Sequence, residues 1–202
     1  NKLRQAVLQE AIEGKLTAEW RKQNPKLISG ENHASKLFEK IRAEKERLIK
    51  EGKIKKDKPL PPIADDEKPF DLPVGWVWCR LGEIASVVRG GSPRPAGDKR
   101  FYDGNIPFLK VADLTAVNEV YLNNYSYSIK DAGLHKTRYV EANTVMLTNS
   151  GATLGIPKIC TFPTTFNDGI AAFLGLHESL DKVFLYYLLK HVNFLLITCF
   201  YF

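Results

Sequence analysis

The sequence predicts an α+β protein in which a helical segment precedes a globular domain built on a curved, mixed β-sheet with a few helices. Three observations carry that expectation. Apolar residues recur at helical spacing through Glu31–Lys50. Beyond Trp76 the chain breaks into short β-type runs separated by turn residues. Between these regions, residues 53–71 are rich in proline and charge and can bury no core, so they read as an extended linker. The expected organisation is therefore a helical segment over residues 1–52, a linker over 53–71, and a globular domain over 72–202.

Lys2–Glu13 places Leu3, Val7, Ala11 and Ile12 on one helical face, with Gly14 where a helix ends. This helix starts without a capping residue, and Asn1 and Lys2 lead into LRQAVLQEAIEGKL with no initiating Met. The missing cap fits either a frayed terminus or the tail of a longer helix upstream, and the missing Met fits a chain cut from something longer, or processed. Lys15–Ser29, which contains Trp20 and Pro25, reads as a loop crossing between helices. Glu31–Lys50 is the strongest helix of the chain and would span roughly 30 Å. Its seam of Leu37, Phe38, Ile41, Leu48 and Ile49 is narrow enough to need a partner helix, and Gly52 closes it.

In the linker, Lys53, Lys55, Lys56 and Lys58 precede Pro59, Pro61 and Pro62, then Asp65, Asp66 and Glu67. Pro73, Gly75 and the alternating Trp76 and Trp78 next predict a turn and a short strand. Leu81–Val88 has Leu81, Ile84, Ala85 and Val88 at helical spacing, and Gly90, Gly91, Pro93 and Pro95 stop it. Strands are predicted at Ile106–Val111, Tyr125–Ile129, Val145–Leu147, Ile156–Phe162 and Ile170–Leu176. The turns between them carry Asp103-Gly104-Asn105, Asn123-Asn124, Gly151 and Asn167-Asp168-Gly169. Asp181–Phe202 reads as a helix turning Val183, Phe184, Tyr187, Leu188 and Phe194 toward a core. Lys190, His191 and Asn193 interrupt its apolar run and argue against a membrane span.

With 44% hydrophobic and 26% charged residues, the composition belongs to folded soluble proteins. A net charge of +6 favours an anionic partner. The three scattered cysteines, Cys79, Cys160 and Cys199, suit reduced thiols in the cytoplasm. The sequence holds no GxGxxG after a strand, no GxxxxGK[ST], no HExxH and no Asn/Asp-Pro-Pro-aromatic motif. His33, His135, His177 and His191 lie too far apart to suggest a metal site. Glu13-Gly-Lys15 and Glu51-Gly-Lys53 fall at predicted helix ends, where Gly is a stop signal. Gly151–Gly155 lacks the lysine of a phosphate loop. No catalytic constellation, cofactor or metal is expected.

What remains is basic and polar loop chemistry. Arg89, Ser92, Arg94, Lys99 and Arg100 fall in one loop region with only Asp98 opposing them. Lys110, Lys136, Thr137, Arg138, Asn149, Ser150 and Thr153 lie in or beside later turns, as do Lys158 and Asn167. Arginine and lysine can read guanine edges, asparagine can read adenine, and hydroxyls can hold phosphates. The recurrence of these residues in the loops of one domain points to nucleic acid.

The blocks LRQAVLQEAIEGKL, ASKLFEKIRAEKERLIKEGKIKKDKPLPPI, LPVGWVWCRLGEIASVVRGGSPRP, FYDGNIPFLKVADL, VMLTNSGATLG and FNDGIAAF, in this order and spacing, resemble the specificity subunit of type I restriction-modification systems. The resemblance covers nearly the whole chain. It implies a target-recognition domain that reads one half of a split site on double-stranded DNA, attached to part of a helical spacer that fixes the gap. It also implies docking of modification subunits, which methylate a flipped adenine with S-adenosylmethionine, and of a restriction subunit that translocates and cleaves. The specificity chain itself would be non-catalytic and cytoplasmic, with a coiled-coil spacer.

Two departures matter. Leu195–Phe202 replaces the family's polar continuation, which predicts a domain incomplete at its C-terminal end. Only one recognition domain is present, so a two-part site would need a second copy or a second half-subunit. The alternative reading is a degenerate or truncated helical docking module without specific DNA binding.

Overall fold

The computed structural model describes residues 2–52 and 60–192. Lys53, Lys55, Lys56, Lys58 and Pro59 of the linker, and Phe194, Cys199 and Leu195–Phe202 of the tail, lie outside the described residues. The chain forms two compact units, residues 1–86 with 175–179 and residues 87–174 with 180–202.

The first unit is helical. Helix α1 spans Lys2–Ile12, α2 Ala18–Gln23 and α3 Ala34–Lys50. The segment expected to be a loop, Lys15–Ser29, thus holds a short helix flanked by single 3-10 turns at Lys15–Thr17 and Pro25–Leu27. Arg21 organises it, donating from Nη1 to Thr17 Oγ1 at 2.5 Å and from Nη2 to Gly14 O at 2.6 Å. Helix α3 begins later than the periodicity predicts because the His33 ring accepts from the Ser35 backbone N–H at 3.1 Å and caps it. Of its seam, Ile41 is buried and Leu37, Phe38, Leu48 and Ile49 are half-buried. On α1 only Ile12 is buried, while Leu3 and Val7 face solvent.

The stretch around Trp76 and Trp78 forms no strand. A short helix α4 (Leu81–Ile84) comes first, and β1 (Ser86–Arg89) follows where the helical pattern was expected to continue. Lys45 Nζ of α3 holds the Gly82 carbonyl at 2.6 Å. The part of the expected linker beyond Leu60 is tied down. Arg80 donates to the carbonyls of Pro61 and Pro62 and clamps Glu67 with Nη1 and Nη2 at 2.9 and 2.8 Å.

The second unit holds the remaining strands: β2 Tyr102–Leu109, β3 Tyr121–Leu122, β4 Ser128–Ile129, β5 Arg138–Val140, β6 Thr144–Thr148, β7 Pro157–Cys160, β8 Thr164–Phe166 and β9 Ile170–Leu174. They form two open mixed sheets, ordered β1-β9-β6-β7-β3 and β4-β2-β8-β5, where the turn spacing suggested one. Helix α5 (Val111–Thr115) follows β2, and α6 spans Lys182–Val192.

The Asp103-Gly104-Asn105 run is a bulge inside β2, not a turn. An added Cβ on Gly104 would stand 2.3 Å from Ile129 O, and the register with β4 slips there. The larger core joins Leu109, Leu122, Met146, Cys160, Phe166 and Ile170, and burial pushes the Cys160 thiol up to about 11. Lys158 on β7 is 1% exposed and donates to Val117 O and Glu119 O at 2.7 and 2.5 Å. Helix α6 buries Leu185, Tyr186 and Leu189, a face turned from the one predicted, and leaves Phe184 and Tyr187 exposed. Among the described residues no helix is long and apolar enough to cross a membrane.

Candidate nucleic-acid interface

The loop after β1 is seated on the end of β8 by two glycines. Gly90 N–H donates to Ile170 O and Gly91 N–H to Phe166 O, both at 3.1 Å. A Cβ on Gly90 would lie 2.3 Å from the carbonyls of Phe166 and Asn167, and one on Gly91 would lie 2.6 Å from Lys136 O. Only glycine permits that approach without a shift. The buried Tyr102 hydroxyl holds the far side of the loop, donating to Pro93 O at 2.8 Å.

Arg89, Ser92 and Arg94 are thereby delivered to the Asn167-Asp168-Gly169 turn. Ser92 Oγ donates to Asp168 Oδ1 at 2.8 Å, and Arg89 Nε donates to the Asp168 carbonyl at 2.6 Å. The Ser92 hydroxyl holds the Asp168 carboxyl below its ordinary range, and the charges of Arg94 and Arg89 lower it further. From β5, Arg138 Nε donates to the Arg89 carbonyl at 2.6 Å, and Thr137, just before β5, donates from Oγ1 to Phe166 O at 2.8 Å. Arg89, Arg94 and Arg138 are exposed.

The surface continues through Phe101. The Arg100 guanidinium lies 5.4 Å from the ring centroid and the Lys136 ammonium 5.0 Å, which places both cations on one aromatic ring. Arg100 also grips Asp98, with Nε at 3.1 and 3.0 Å from its two oxygens and Nη2 at 2.6 Å. That contact holds the Asp98 carboxyl at about 2. Lys130 Nζ caps the Lys99 carbonyl at 2.7 Å and adds an exposed cation that sequence reasoning did not single out.

The other predicted residues sit nearby or apart. Lys110 follows β2, whose last residue Leu109 accepts from Asn167 N–H at 2.9 Å, and its ammonium sits 3.4 Å over the Tyr127 ring. Asn149 N–H donates to Gly169 O at 2.9 Å, and Ser150 Oγ lies 3.1 Å from where a Gly169 Cβ would stand. The Asn149 side-chain amide and Asn167 Oδ1 are buried and have no hydrogen-bond partner among the described residues. Thr153 is in the 3-10 turn Gly151–Thr153, where its carbonyl accepts from Thr148 Oγ1. Asp168, the residue on which the cluster turns, was legible only as part of a turn signal.

A separate open recess of about 480 Å³, lined among others by Asn105, Pro107, Asn123, Tyr125, Tyr139 and Phe162, carries no charged side chain. Among the described residues, no group of His, Cys, Asp and Glu is placed to hold a metal.

Residues 73–200 match the family model of the type I restriction modification DNA specificity domain. The chain belongs to this family. The matched specificity domain contains every residue of the basic surface from Arg89 to Arg138.

Among curated proteins, the chain is 37% identical over 156 residues to the type I restriction enzyme EcoEI specificity subunit of Escherichia coli, a match covering 74% of this chain and 24% of that protein. It is 52% identical over 88 residues to the EcoAI specificity subunit of the same organism, covering 44% and 14%. The chain thus spans about a quarter or less of the length of these relatives. The fold of the chain also resembles that of the HsdS subunit from Thermoanaerobacter tengcongensis, with a TM-score of 0.50, 19% identity, and coverage of 96% of this chain and 41% of that one.

Proposed function

We propose that this chain recognises one half of a bipartite double-stranded DNA site as part of a type I specificity subunit. On this reading residues 1–52 are a segment of the helical spacer, 53–71 a linker, and 72–202 the target-recognition domain. The observation that carries it is the cluster around Asp168, where three separate stretches of the specificity domain bring Arg89, Arg94 and Arg138 onto one exposed surface. Lys99, Arg100, Lys130 and Lys136 extend the positive field and suit phosphate contact, which supplies affinity without sequence information. Ser92, Thr137, Ser150 and Thr153 complete the set of polar groups assigned to the DNA face, whereas the Asn149 amide, expected there, is buried.

The chemistry is assigned to partners. Modification subunits docked on the helices methylate the target, and a restriction subunit joins the same complex; the specificity chain catalyses neither step. The relatives' designation as restriction-enzyme specificity subunits supports this division. A second copy or a second half-subunit supplies the other half-site, and the complex works in the cytoplasm. Lys2–Ile12 and Ala34–Lys50, with Leu37, Phe38, Ile41, Leu48 and Ile49, are the elements assigned to docking.

Fluorescence anisotropy with duplex pools over a salt series tests the reading. Recognition predicts enrichment of one short sequence, tight binding to it, and affinity that falls steeply with salt while sequence preference persists. Weak, sequence-blind binding together with co-purification of a modification subunit would instead favour a docking module.

A further inference from the structure

Two arginines of the basic surface are held alike, and differently from the rest. Arg89 Nε donates to the Asp168 carbonyl at 2.6 Å, and Arg138 Nε donates to the Arg89 carbonyl at 2.6 Å. In each, one edge of the guanidinium is pinned to backbone, and no described residue accepts from the terminal NH2 pair. Both side chains are exposed. Arg100, by contrast, has its Nε and Nη2 closed on the Asp98 carboxylate. The backbone that pins Arg89 and Arg138 is itself held, because Gly90 N–H donates to Ile170 O, Gly91 N–H to Phe166 O and Asn149 N–H to Gly169 O.

A guanidinium with Nε occupied and its two terminal amino groups open is a planar two-donor fork of fixed orientation. The ligand that matches it is a pair of neighbouring acceptors in one plane. In duplex DNA both a phosphate and the O6/N7 edge of guanine offer such a pair. The Asp168 carboxylate decides between them. It belongs to the residue whose backbone carbonyl pins Arg89, and it accepts from Ser92, so a phosphate brought to this point would meet a like charge. A guanine edge is neutral, and the amino group of its paired cytosine is a donor that a carboxylate accepts.

We infer that Arg89 and Arg138 are specificity-determining residues that each read a guanine in the major groove through their terminal NH2 pairs, so that the half-site contains guanine. The inference rests on the DNA-recognition function proposed above. Lys99 and Lys136, point charges without a fork, are left to the phosphates.

The experiment uses the full chain. Selection from a random duplex library defines the preferred half-site, and anisotropy then compares wild type, Arg89→Lys and Arg138→Lys on selected and unrelated duplexes. The lysines keep the charge and lose the fork. Each is expected to lower affinity for the selected duplex about ten- to a hundredfold while leaving unrelated duplexes and the salt slope unchanged. A second arm leaves the protein untouched and replaces each guanine of the selected site by 7-deazaguanine, which removes N7. Wild type should lose affinity at the guanines read, and the matching lysine variant should show no further loss.

A selected half-site lacking guanine, or lysine variants that keep full preference, would overturn the assignment while leaving DNA recognition standing. Failure of the wild-type chain to select any sequence would overturn the proposed function, and the assignment with it.

Discussion

The hydroxyl of Ser92 donates to Oδ1 of Asp168 at 2.8 Å, joining residues 76 positions apart in the chain. This bond ties the loop after β1 to the turn after β8, and the loop's arginines share that turn. The hydroxyl is the first cause of the depressed Asp168 titration, ahead of the charges of Arg94 and Arg89. A carboxyl with a lowered folded value contributes stability that is complete above its ordinary value of 3.8 and is lost as pH falls through the folded value. Ser92→Ala should move the Asp168 titration up toward the ordinary value and cost about 1 kcal/mol at neutral pH. A carbon-detected NMR titration of the Asp168 carboxyl in both proteins measures it. An identical curve for the variant would mean that the bond is not formed in solution.

Gly90 makes that seating feasible. Its missing side chain lets the loop lie where a Cβ would stand 2.3 Å from two backbone carbonyls, and backbone cannot swing aside as a flexible side chain can. Gly90→Ala should destabilise the second unit by about 1–3 kcal/mol, the usual range for forced overpacking. It should also weaken DNA binding by displacing Arg89. Urea unfolding gives the first quantity and anisotropy the second. A variant of unchanged stability and affinity would show that the loop is not held against Phe166.

These two positions also show what was legible beforehand. Gly90, Gly91 and the surrounding arginines announce a basic turn, and the runs at Val145–Leu147 and Ile170–Leu176 announce strands close to the observed β6 and β9. Ser92 meeting Asp168 was not legible, because no local pattern encodes a partner so distant in sequence. Ser86–Val88 carries a helical spacing yet forms β1, since a place beside β9 outweighs local periodicity. Asp103-Gly104-Asn105 has the composition of a turn, but its glycine serves the close approach of β4. Short helices such as α5 depend on single contacts. There Asp113 accepts from the backbone of Lys110 at 2.8 Å and of Ser126 at 2.9 Å, and periodicity cannot display such contacts.

Arg80 predicts how the segment from Pro61 to Lys68 behaves. Its guanidinium holds the carbonyls of Pro61 and Pro62 and both oxygens of Glu67, and it holds the Glu67 carboxyl down at about 2. Because that value is depressed, the clamp is complete above about pH 4.5 and opens as pH falls through about 2. Arg80→Ala should speed amide exchange at Ala64, Glu67 and Lys68, with little change in global stability. Arg80→Lys should rescue only partly, since one ammonium cannot span four acceptors. Hydrogen exchange by mass spectrometry resolves the segment. Equal protection in Arg80→Ala and wild type would refute the clamp.

Lys158 is a buried cation of the second unit, and its ammonium holds the carbonyls of Val117 and Glu119 ahead of β3. Lys158→Met keeps the stem and removes the donors, leaving two acceptors to water or to nothing. The expected loss is about 1–3 kcal/mol for each carbonyl left unsatisfied, read as a lower urea midpoint. The pH dependence separates this from simple repacking. Burial holds the Lys158 titration below its ordinary 10.5, so the unfolded chain binds more protons there than the folded one, and folding gains stability as pH rises toward 10.5. Wild type should therefore gain on Lys158→Met with rising alkalinity, while groups common to both proteins cancel in the difference. A gap between the two midpoints that stays flat with pH would mean that Lys158 titrates as an ordinary surface lysine.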